Sequence, residues 1–262
     1  MYSGQQKISF FNYKELLFAW TSRIIRARYQ QSILGGLWAI VQPIATVLIF
    51  TVVFSYFLKV DTGKVPYIVF SYTAMVPWLF FSTSINEMVE SIVSNMNLVA
   101  KIYFPREILV FSTLLARLVD FLIAFVLLII LIIIYKVPVN LPVWLFIPVI
   151  LVCQISLALG IGFFASSINV FFRDIKHVFT LIMQLWLYAT PIIYPISIVP
   201  EKFKNIYFLN PMVGIIEGYR AILLYGKMPD ISFVFSLIIS VVVLLLGYTF
   251  FKKIEFRFAD II

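Results

Sequence analysis

The sequence contains very little cysteine, histidine and charge for its length. Only one cysteine, Cys153, and one histidine, His177, occur among 262 residues. A single cysteine forms no intramolecular disulfide, and this pair alone excludes a metal centre built from cysteine and histidine ligands. Charged residues make up 12% of the chain, about half of the share in an ordinary soluble domain. These scarcities exclude a disulfide scaffold and argue against a soluble fold.

Short motifs that mark common enzyme sites are missing as well. There is no Gly-x-x-x-x-Gly-Lys-Ser/Thr loop, so this chain cannot cradle ATP by itself. There is also no Gly-x-Ser-x-Gly elbow and no His-Glu-x-x-His pair. A catalytic cluster could be imagined at Arg173, Asp174, Lys176 and His177. A solvated turn between two spans is the favoured interpretation of these residues. We therefore expect no enzyme activity, and no catalytic residue, cofactor or metal ion in this chain.

Apolar residues are abundant instead, at 63% of the chain with a mean hydropathy of +1.04. A soluble fold of this length could not cover so much apolar surface, so the composition predicts an integral membrane protein. A bilayer core of about 30 Å requires roughly 20 apolar residues in a helix. Strands of a membrane β-barrel would show short alternating segments, which favours an all-α fold here. Six segments meet the helical requirement: 38–58, 67–85, 108–135, 143–168, 178–198 and 232–251.

The distribution of lysine and arginine predicts how these spans are oriented. Twelve of these cations lie in the segments on the side shared by both termini, and seven lie on the other side. Because cations collect on the cytoplasmic side, both termini are predicted to be cytoplasmic. The net charge of +8 is explained by this bias, and no long basic run with interleaved aromatics suggests nucleic acid as a partner. Residues 1–30 carry charge throughout, so insertion is expected through the first span rather than a cleavable signal.

Residues 10–36 predict an interfacial segment that precedes the first span. Tyr13, Leu17, Trp20 and Ile24 recur at helical spacing over 10–29, with polar residues on the opposite face. Such a helix lies along the membrane surface. The alternative is a cytosolic helix that packs on a partner.

Two further segments are too polar or too short to span the membrane. Residues 87–104 predict a helix that projects into the cytosol, since Met88, Ile92 and Met96 lie four apart and Glu87 lies off that stripe. Residues 199–231 predict short re-entrant helices in the periplasmic half of the bilayer. Within this segment, Glu217 and Arg220 are three residues apart, so their opposite charges share one helical face.

Ionisable residues inside the predicted spans are few. Arg117 and Asp120 are three apart in the third span, so they can neutralise each other. A structural ion pair is the first interpretation, and a role in gating or substrate contact is the second.

Aromatic residues are common, with 27 Phe, 14 Tyr and 5 Trp. Many are explained as lipid-facing bulk or as anchors at the membrane interface. Spans one, two and five also combine aromatics with small polar groups, which suits a channel wall for a sugar chain because pyranose faces pack on aromatic rings. The candidates for this wall are Tyr56, Tyr72, Trp78, Trp186 and Tyr188.

Five motifs lie in order along the chain. They are "RYQQSILGGLWAIVQP" (28–43), "NLVAKIYFPREIL" (97–109), "INVFFRDIKHV" (168–178), "PIIYPISIVPE" (191–201) and "LNPMVGIIEGYR" (209–220). Together they resemble one family, the ABC-2 type permeases that export bacterial surface polysaccharides. The similarity is greatest to the O-antigen exporters, and the teichoic acid and capsule export permeases are similar. It runs from about residue 10 to the end.

The resemblance implies a half-transporter in the inner membrane of a bacterium. A second copy would complete the channel, and the pair would dock on two copies of an ABC ATPase that binds ATP and Mg²⁺. Residues 87–104 would be the coupling helix, with Met88, Ile92 and Met96 in a groove of the ATPase. The helices of 199–231 would cap the periplasmic exit. The substrate would be an O-antigen-type polysaccharide linked to undecaprenyl diphosphate, and the alternative is a teichoic acid, capsule, lipid or drug substrate.

The cations of the interfacial segment gain a second interpretation from this resemblance. Arginine suits phosphate, so Arg28 and Arg26 are candidates to receive the lipid diphosphate. Anchoring to the cytoplasmic surface is the alternative for both. A membrane glycosyltransferase is a competing function, for which Glu87 and Glu90 are the only candidate acids, and an ion channel lacks a selectivity-filter motif.

Overall fold

The computed structural model describes residues 13–30, 32–63, 65–102 and 104–261, and within these ranges every regular element is helical. Residues 10–12 of the predicted interfacial segment lie outside the described ranges. The α-helices are α1 (Lys14–Tyr29), α2 (Trp38–Phe50), α3 (Tyr67–Ser91), α4 (Met96–Lys101), α5 (Glu107–Ile134), α6 (Leu141–Trp144), α7 (Ile147–Phe171), α8 (Ile175–Tyr188), α9 (Glu201–Tyr207), α10 (Pro211–Tyr225) and α11 (Ile231–Ile254).

Short 3-10 and π-helical segments join or extend several of these helices. The π-helix Thr51–Phe57 extends α2. The other turns are 3-10 helices: Gly35–Leu37, Val93–Asn95, Ile196–Ile198 and Glu255–Ile261. Gly35, at the turn between α1 and α2, adopts a φ of +50°, a conformation that favours glycine because it has no Cβ.

Five helical segments of the described chain are long and apolar enough to cross a membrane: Gly35–Phe57, Tyr67–Ser91, Glu107–Ile134, Leu141–Phe171 and Ile231–Phe258. They coincide with five of the six predicted spans, so the chain is an all-helical integral membrane protein. The predicted span 178–198 differs, because its helix, α8, has 14 residues and ends at Tyr188. At 1.5 Å per residue it extends only about 21 Å. Pro191 and Pro195 explain this end, since proline and the residue before it leave the helical conformation.

The predicted projecting helix at 87–104 also differs from the structure. Its first residues continue α3 to Ser91, and the chain then turns through Val93–Asn95 into the six-residue helix α4. Met88 and Ile92 are fully buried. Met88 packs against Gly162 of α7. The stripe of Met88 and Ile92 therefore faces the interior of this chain, which corrects its assignment to an external docking groove.

The helix α3 forms the centre of the bundle. Of the apolar 18-residue stretch in this helix, 83% is buried inside the protein, far more than in any of the other four long apolar helices. It packs between α5, α7 and α10. A buried amide joins these helices, since the Gln154 side chain donates to the Pro77 carbonyl (2.7 Å) and accepts from the Tyr219 phenol (3.1 Å). This network satisfies polar groups that have no access to water.

The helices α7 and α11 form the most extensively packed pair. Their backbones meet at two glycines, where a Cβ placed on Gly247 would lie 2.0 Å from the Gly160 carbonyl oxygen. Small residues at such crossings let membrane helices approach closely.

The bundle has two distinct ends. At one end, Lys252 of α11 contacts Glu107 of α5 (3.1 Å), and Arg28 of α1 contacts Glu87 of α3 (2.7 Å). Both the first helix and the last described turn therefore lie at this end, which we name the α1 end. The helices α9 and α10 lie at the opposite end, named the α9 end, where Arg220 packs on Phe70 near the start of α3.

Candidate functional site

Four charged side chains from three helices meet near the α1 end, and we name them the charge cluster: Arg28 of α1, Glu87 of α3, and Arg117 and Asp120 of α5. Arg28 contacts Glu87 at 2.7 Å and Asp120 at 2.6 Å. Arg117 contacts Asp120 at 3.1 Å and also pairs with Glu87. Each carboxylate thus bridges both guanidinium groups, and the cluster carries no net charge.

The local sequence explains how the cluster is assembled. Arg117 and Asp120 share one face of α5 because they are three residues apart. Glu87 lies one turn before the end of α3, and Arg28 lies in the last turn of α1, which packs along α5. All four side chains are partly buried, with 12–33% of each exposed. Such burial makes pairing of every charge necessary.

Two further hydrogen-bond donors belong to the cluster, one engaged and one free within the described part of the chain. The Tyr29 phenol donates to Asp120. Burial, reinforced by Asp120, raises the pKa of this phenol, so it remains a donor at neutral pH. The buried Nε–H of Arg117 has no hydrogen-bond partner among the described residues.

The charge cluster separates two spaces. Toward the middle of the bundle lies a cavity of about 190 Å³, which we name the inner cavity; besides cluster residues, its lining includes Trp38, Gln42, Phe80, Thr83 and Phe121. On the other side lies a groove of about 650 Å³, the α1 groove, lined by residues that include Trp20, Arg23, Asn86 and Asn95. Arg28 lines both spaces. The cluster therefore lies between them.

A second polar arrangement lies at the α9 end. Arg220 is fully buried and donates to the Pro191 and Ile192 carbonyls at 2.5 and 2.9 Å. It also pairs with Glu217 at 2.8 Å, and its guanidinium lies 3.6 Å from the centre of the Phe70 ring. Arg220 thus satisfies carbonyls of the non-helical segment that follows α8. Its pKa is lowered by burial, while Glu217 opposes that shift.

Asn210 holds the same broken segment from the start of α10. Its side chain accepts from the Met212 backbone N–H (3.0 Å) and from the Trp186 indole (2.9 Å). Its amide donates to the Ala189 carbonyl (3.0 Å). The first of these contacts is an N-cap, which stabilises the beginning of α10.

Comparison with known proteins identifies the family. A model of the ABC-2 type transporter family matches residues 15–224. The chain belongs to this family. The match extends from α1 to the end of α10, so it includes every residue of the charge cluster and of the Arg220 site.

Three relatives resemble this ABC-2 transporter chain over nearly its whole length. It is 29% identical over 255 residues to the O-antigen export system permease protein RfbA of Myxococcus xanthus, covering 95% of this chain and 96% of that protein. A protein of the same name from Klebsiella pneumoniae is 29% identical over 249 residues, covering 95% of each chain. The polysialic acid transport protein KpsM of Escherichia coli is 24% identical over 246 residues, covering 89% of this chain and 91% of that protein.

The structure of the ABC-2 chain brings only some of the predicted site residues together. Arg28 joins Arg117 and Asp120 in the charge cluster, whereas Arg26 is exposed and forms no ion pair with a described residue. Glu87, predicted as part of a docking helix, belongs to the cluster instead. Glu217 and Arg220 form the predicted pair.

The five predicted wall aromatics do not share one surface of this ABC-2 chain. Tyr72 and Trp78 are buried in the bundle interior, which corrects their assignment to a channel wall. Tyr56 and Tyr188 are largely exposed. Trp186 is half-buried and lies edge-on to Trp78, with 6.5 Å between ring centres.

Sequence reasoning missed the roles of Tyr29 and Glu87. One signal for Glu87 was present, because it is an acid just after the predicted second span, on the same predicted side of the membrane as Arg28. No pattern in the sequence pointed to the contact between Arg220 and the carbonyls after α8.

Proposed function

We propose that this chain is the permease subunit of an ATP-driven exporter that moves an undecaprenyl-diphosphate-linked polysaccharide of the O-antigen type across the bacterial inner membrane. The observation that carries the proposal is the match over nearly the full length to permeases named for O-antigen export and to a protein named for polysialic acid transport. Both names refer to long sugar polymers.

The proposed assembly contains two copies of the chain and two ATPase subunits that supply the ATP and Mg²⁺ site. Both termini face the cytoplasm, so the α1 end is cytoplasmic and the α9 end is periplasmic. The excess of cations in segments at the α1 end supports this orientation. The helix α8 together with the chain after it forms a sixth, incomplete crossing, and α9 and α10 are the re-entrant periplasmic pair.

The proposed path for the substrate begins at Arg28. The lipid diphosphate is an anion at the cytoplasmic interface, and the guanidinium group matches phosphate geometry. Arg26, exposed on the same helix, contributes attraction to anionic headgroups. Tyr56 and Tyr188, whose rings are exposed, are proposed to contact the sugar chain where two copies of the permease meet.

Residues 87–104 remain the proposed coupling segment, but a different face contacts the ATPase. Since Met88 and Ile92 are buried, the contact surface is the exposed side of α4 and the residue after it. Asn97, Lys101 and Ile102 lie on this side, and 56% of Ile102 is exposed. An exposed isoleucine beside a cation suits a contact with a groove in a partner protein.

The substitution Ile102→Asp is expected to separate coupling from folding. Because more than half of Ile102 is exposed, a charge there is reached by water, and the chain should insert and unfold as the wild type does. Polysaccharide export and the stimulation of ATP hydrolysis by the permease should fall by about tenfold or more, as for a central interface residue. Unchanged export by this variant would remove Ile102 from the proposed contact.

The matched variant is Met88→Asp, which places the same charge against Gly162 in the interior. This change should prevent stable folding, because a buried unpaired carboxylate has no compensating partner. The two variants are compared by the yield of membrane-inserted protein and by thermal unfolding in detergent. Normal folding of the Met88→Asp variant would contradict the interior position of this stripe.

The proposed function is tested by deleting the gene from its natural host. Surface polysaccharide should disappear while lipid-linked polymer accumulates on the cytoplasmic side, where it resists external glycosidase until the cells are opened. The chemical analysis of the accumulated polymer separates O-antigen from teichoic acid or capsule. Normal surface polysaccharide in the deletion strain, with no accumulated polymer, would contradict the proposal.

A further inference from the structure

The two carboxylates of the charge cluster occupy the arginines in the way that two neighbouring phosphates would. Glu87 and Asp120 each bridge Arg28 and Arg117. A diphosphate also presents two anionic groups joined at short distance, and arginine binds phosphate and carboxylate with the same fork of N–H donors. The cluster therefore has the donors of a diphosphate site, with acids of the same chain already bound to them.

We propose that Arg28 and Arg117 form an exchange site for a diphosphate, and that Glu87 and Asp120 hold this site closed until the ligand displaces them. This inference rests on the proposed function, in which the substrate carries a lipid diphosphate. It assigns a ligand to Arg117, which the sequence pairs only with Asp120. It also gives the two acids an inhibitory role.

The position of the cluster gives a ligand access from the α1 groove. Arg28 and Glu87 line this groove, while Arg28, Arg117 and Asp120 line the inner cavity. Glu87 has the longest acidic side chain and the largest exposed fraction of the four cluster residues, 33%. It is therefore the first to leave, by rotating into the groove. A group attached to the bound diphosphate then has the inner cavity beside it.

Two donors at the arginines, one of them unused by the described residues, favour the exchanged state. The Nε–H of Arg117 has no partner among the described residues, so a phosphate oxygen adds a hydrogen bond that the carboxylates do not make. The Tyr29 phenol, which donates to Asp120, lies beside the same arginines and can transfer its hydrogen bond to the ligand. Both features raise the number of donors that a diphosphate meets.

The electrostatic balance predicts opposite effects for acids and arginines. In the closed cluster the charges cancel, so an incoming anion gains little from the arginines while the acids stay in place. Removing one acid leaves a net positive site, whereas removing one arginine leaves a net negative one. If the cluster were merely structural, substitutions of an acid and of an arginine would have the same effect, because either one would weaken the ion pairs.

The test measures binding of inorganic diphosphate, and separately of a polyprenyl diphosphate, to the purified full-length permease in lipid nanodiscs. Glu87→Gln and Asp120→Asn should each raise affinity about tenfold or more, and Arg28→Gln and Arg117→Gln should each lower it about tenfold. Glu15→Gln and Arg173→Gln, which make the same changes at exposed positions outside the cluster, should leave affinity unchanged. Binding of the lipid alone, without inorganic diphosphate, assigns recognition to the polyprenyl chain and overturns the exchange site.

A second measurement uses the wild-type chain, so it holds even where a variant fails to fold. Diphosphate should increase carbodiimide labelling of Glu87 and decrease phenylglyoxal labelling of Arg28, read by mass spectrometry, with labelling of Glu15 constant. Parallel changes, no change, or lower affinity in the acid variants would overturn the proposal. A chain that exports polysaccharide without this opposite labelling keeps the proposed function and loses the exchange site. If inorganic diphosphate raises the labelling of Glu87 and lowers that of Arg28 in a chain that exports no polysaccharide, the exchange site is supported and the proposed function is contradicted.

Discussion

The substitution Gly247→Ala is expected to separate α7 from α11 and to destabilise the protein strongly. A Cβ at this position would lie 2.0 Å from the Gly160 carbonyl oxygen and 2.8 Å from its carbonyl carbon. These are backbone atoms, so no side chain can rotate to make room and the two helices must move apart. Because this is the most extensively packed helix pair, we expect a loss of about 3 kcal/mol or more, at the upper end of measured overpacking effects.

The matched control for this prediction is Gly36→Ala. A Cβ on Gly36 meets only the Ile123 side chain, at 3.8 Å, which is ordinary van der Waals contact. Thermal unfolding in detergent, followed by tryptophan fluorescence, should give a much lower Tm for Gly247→Ala and a nearly unchanged Tm for Gly36→Ala. Equal Tm values would show that α7 and α11 do not approach at these glycines.

The substitution Arg220→Met is expected to release the chain that follows α8. It removes two hydrogen bonds to carbonyls, the contact with Phe70 and the ion pair with Glu217. Breaking a buried ion pair by removing one partner destabilises a protein by about 3–5 kcal/mol. Arg220→Lys should recover only a small part of this loss, since one ammonium group cannot reproduce the planar fork on two carbonyls. Hydrogen exchange should increase at residues 189–195.

The neighbouring helix offers a matched pair for comparison. Lys204 and Glu201 of α9 have the same three-residue spacing and a distance of 2.5 Å, but 86% of the Glu201 side chain is exposed. Lys204→Met should therefore change stability by about 0.5 kcal/mol or less. A comparable loss in both variants, or unchanged exchange at 189–195 in Arg220→Met, would contradict the role assigned to Arg220.

Membrane physics made five of the six predicted spans recognisable from the sequence. A spanning helix must be long and apolar, and five of the six segments chosen by this rule form helices long and apolar enough to cross a membrane. The segment 178–198 misled the prediction because its hydropathy continues past Tyr188, whereas its helix does not. Average hydropathy is insensitive to the prolines that end α8.

The buried faces of the helices were not predictable in the same way. In a membrane, the lipid and the protein interior are equally apolar, so periodicity does not show which face is inside. Tyr72 and Trp78 were predicted to line a channel wall and Met88 to contact the ATPase, and all three are buried within this chain. The central position of α3 depends on contacts with helices that are distant in sequence.

The charge cluster was predictable only in its local part. The spacing of Arg117 and Asp120 predicted an ion pair, and the structure contains it. The contacts of Arg28 with Glu87 and Asp120 join residues 59 and 92 positions apart. Only the packing of α1 along α5 and of α3 against α5 brings these groups together, and no spacing rule encodes that arrangement.

The central claim, polysaccharide export by this chain, is tested most directly by reconstitution. The permease and its ATPase partner are placed in vesicles that carry a lipid-linked polysaccharide on the outer leaflet, with the ATPase subunits also facing outward. Addition of ATP should make the polymer resistant to external glycosidase, and vesicles without the permease should show no such protection. Equal protection without ATP or without the permease, or no protection while the ATPase is active, would contradict the claim.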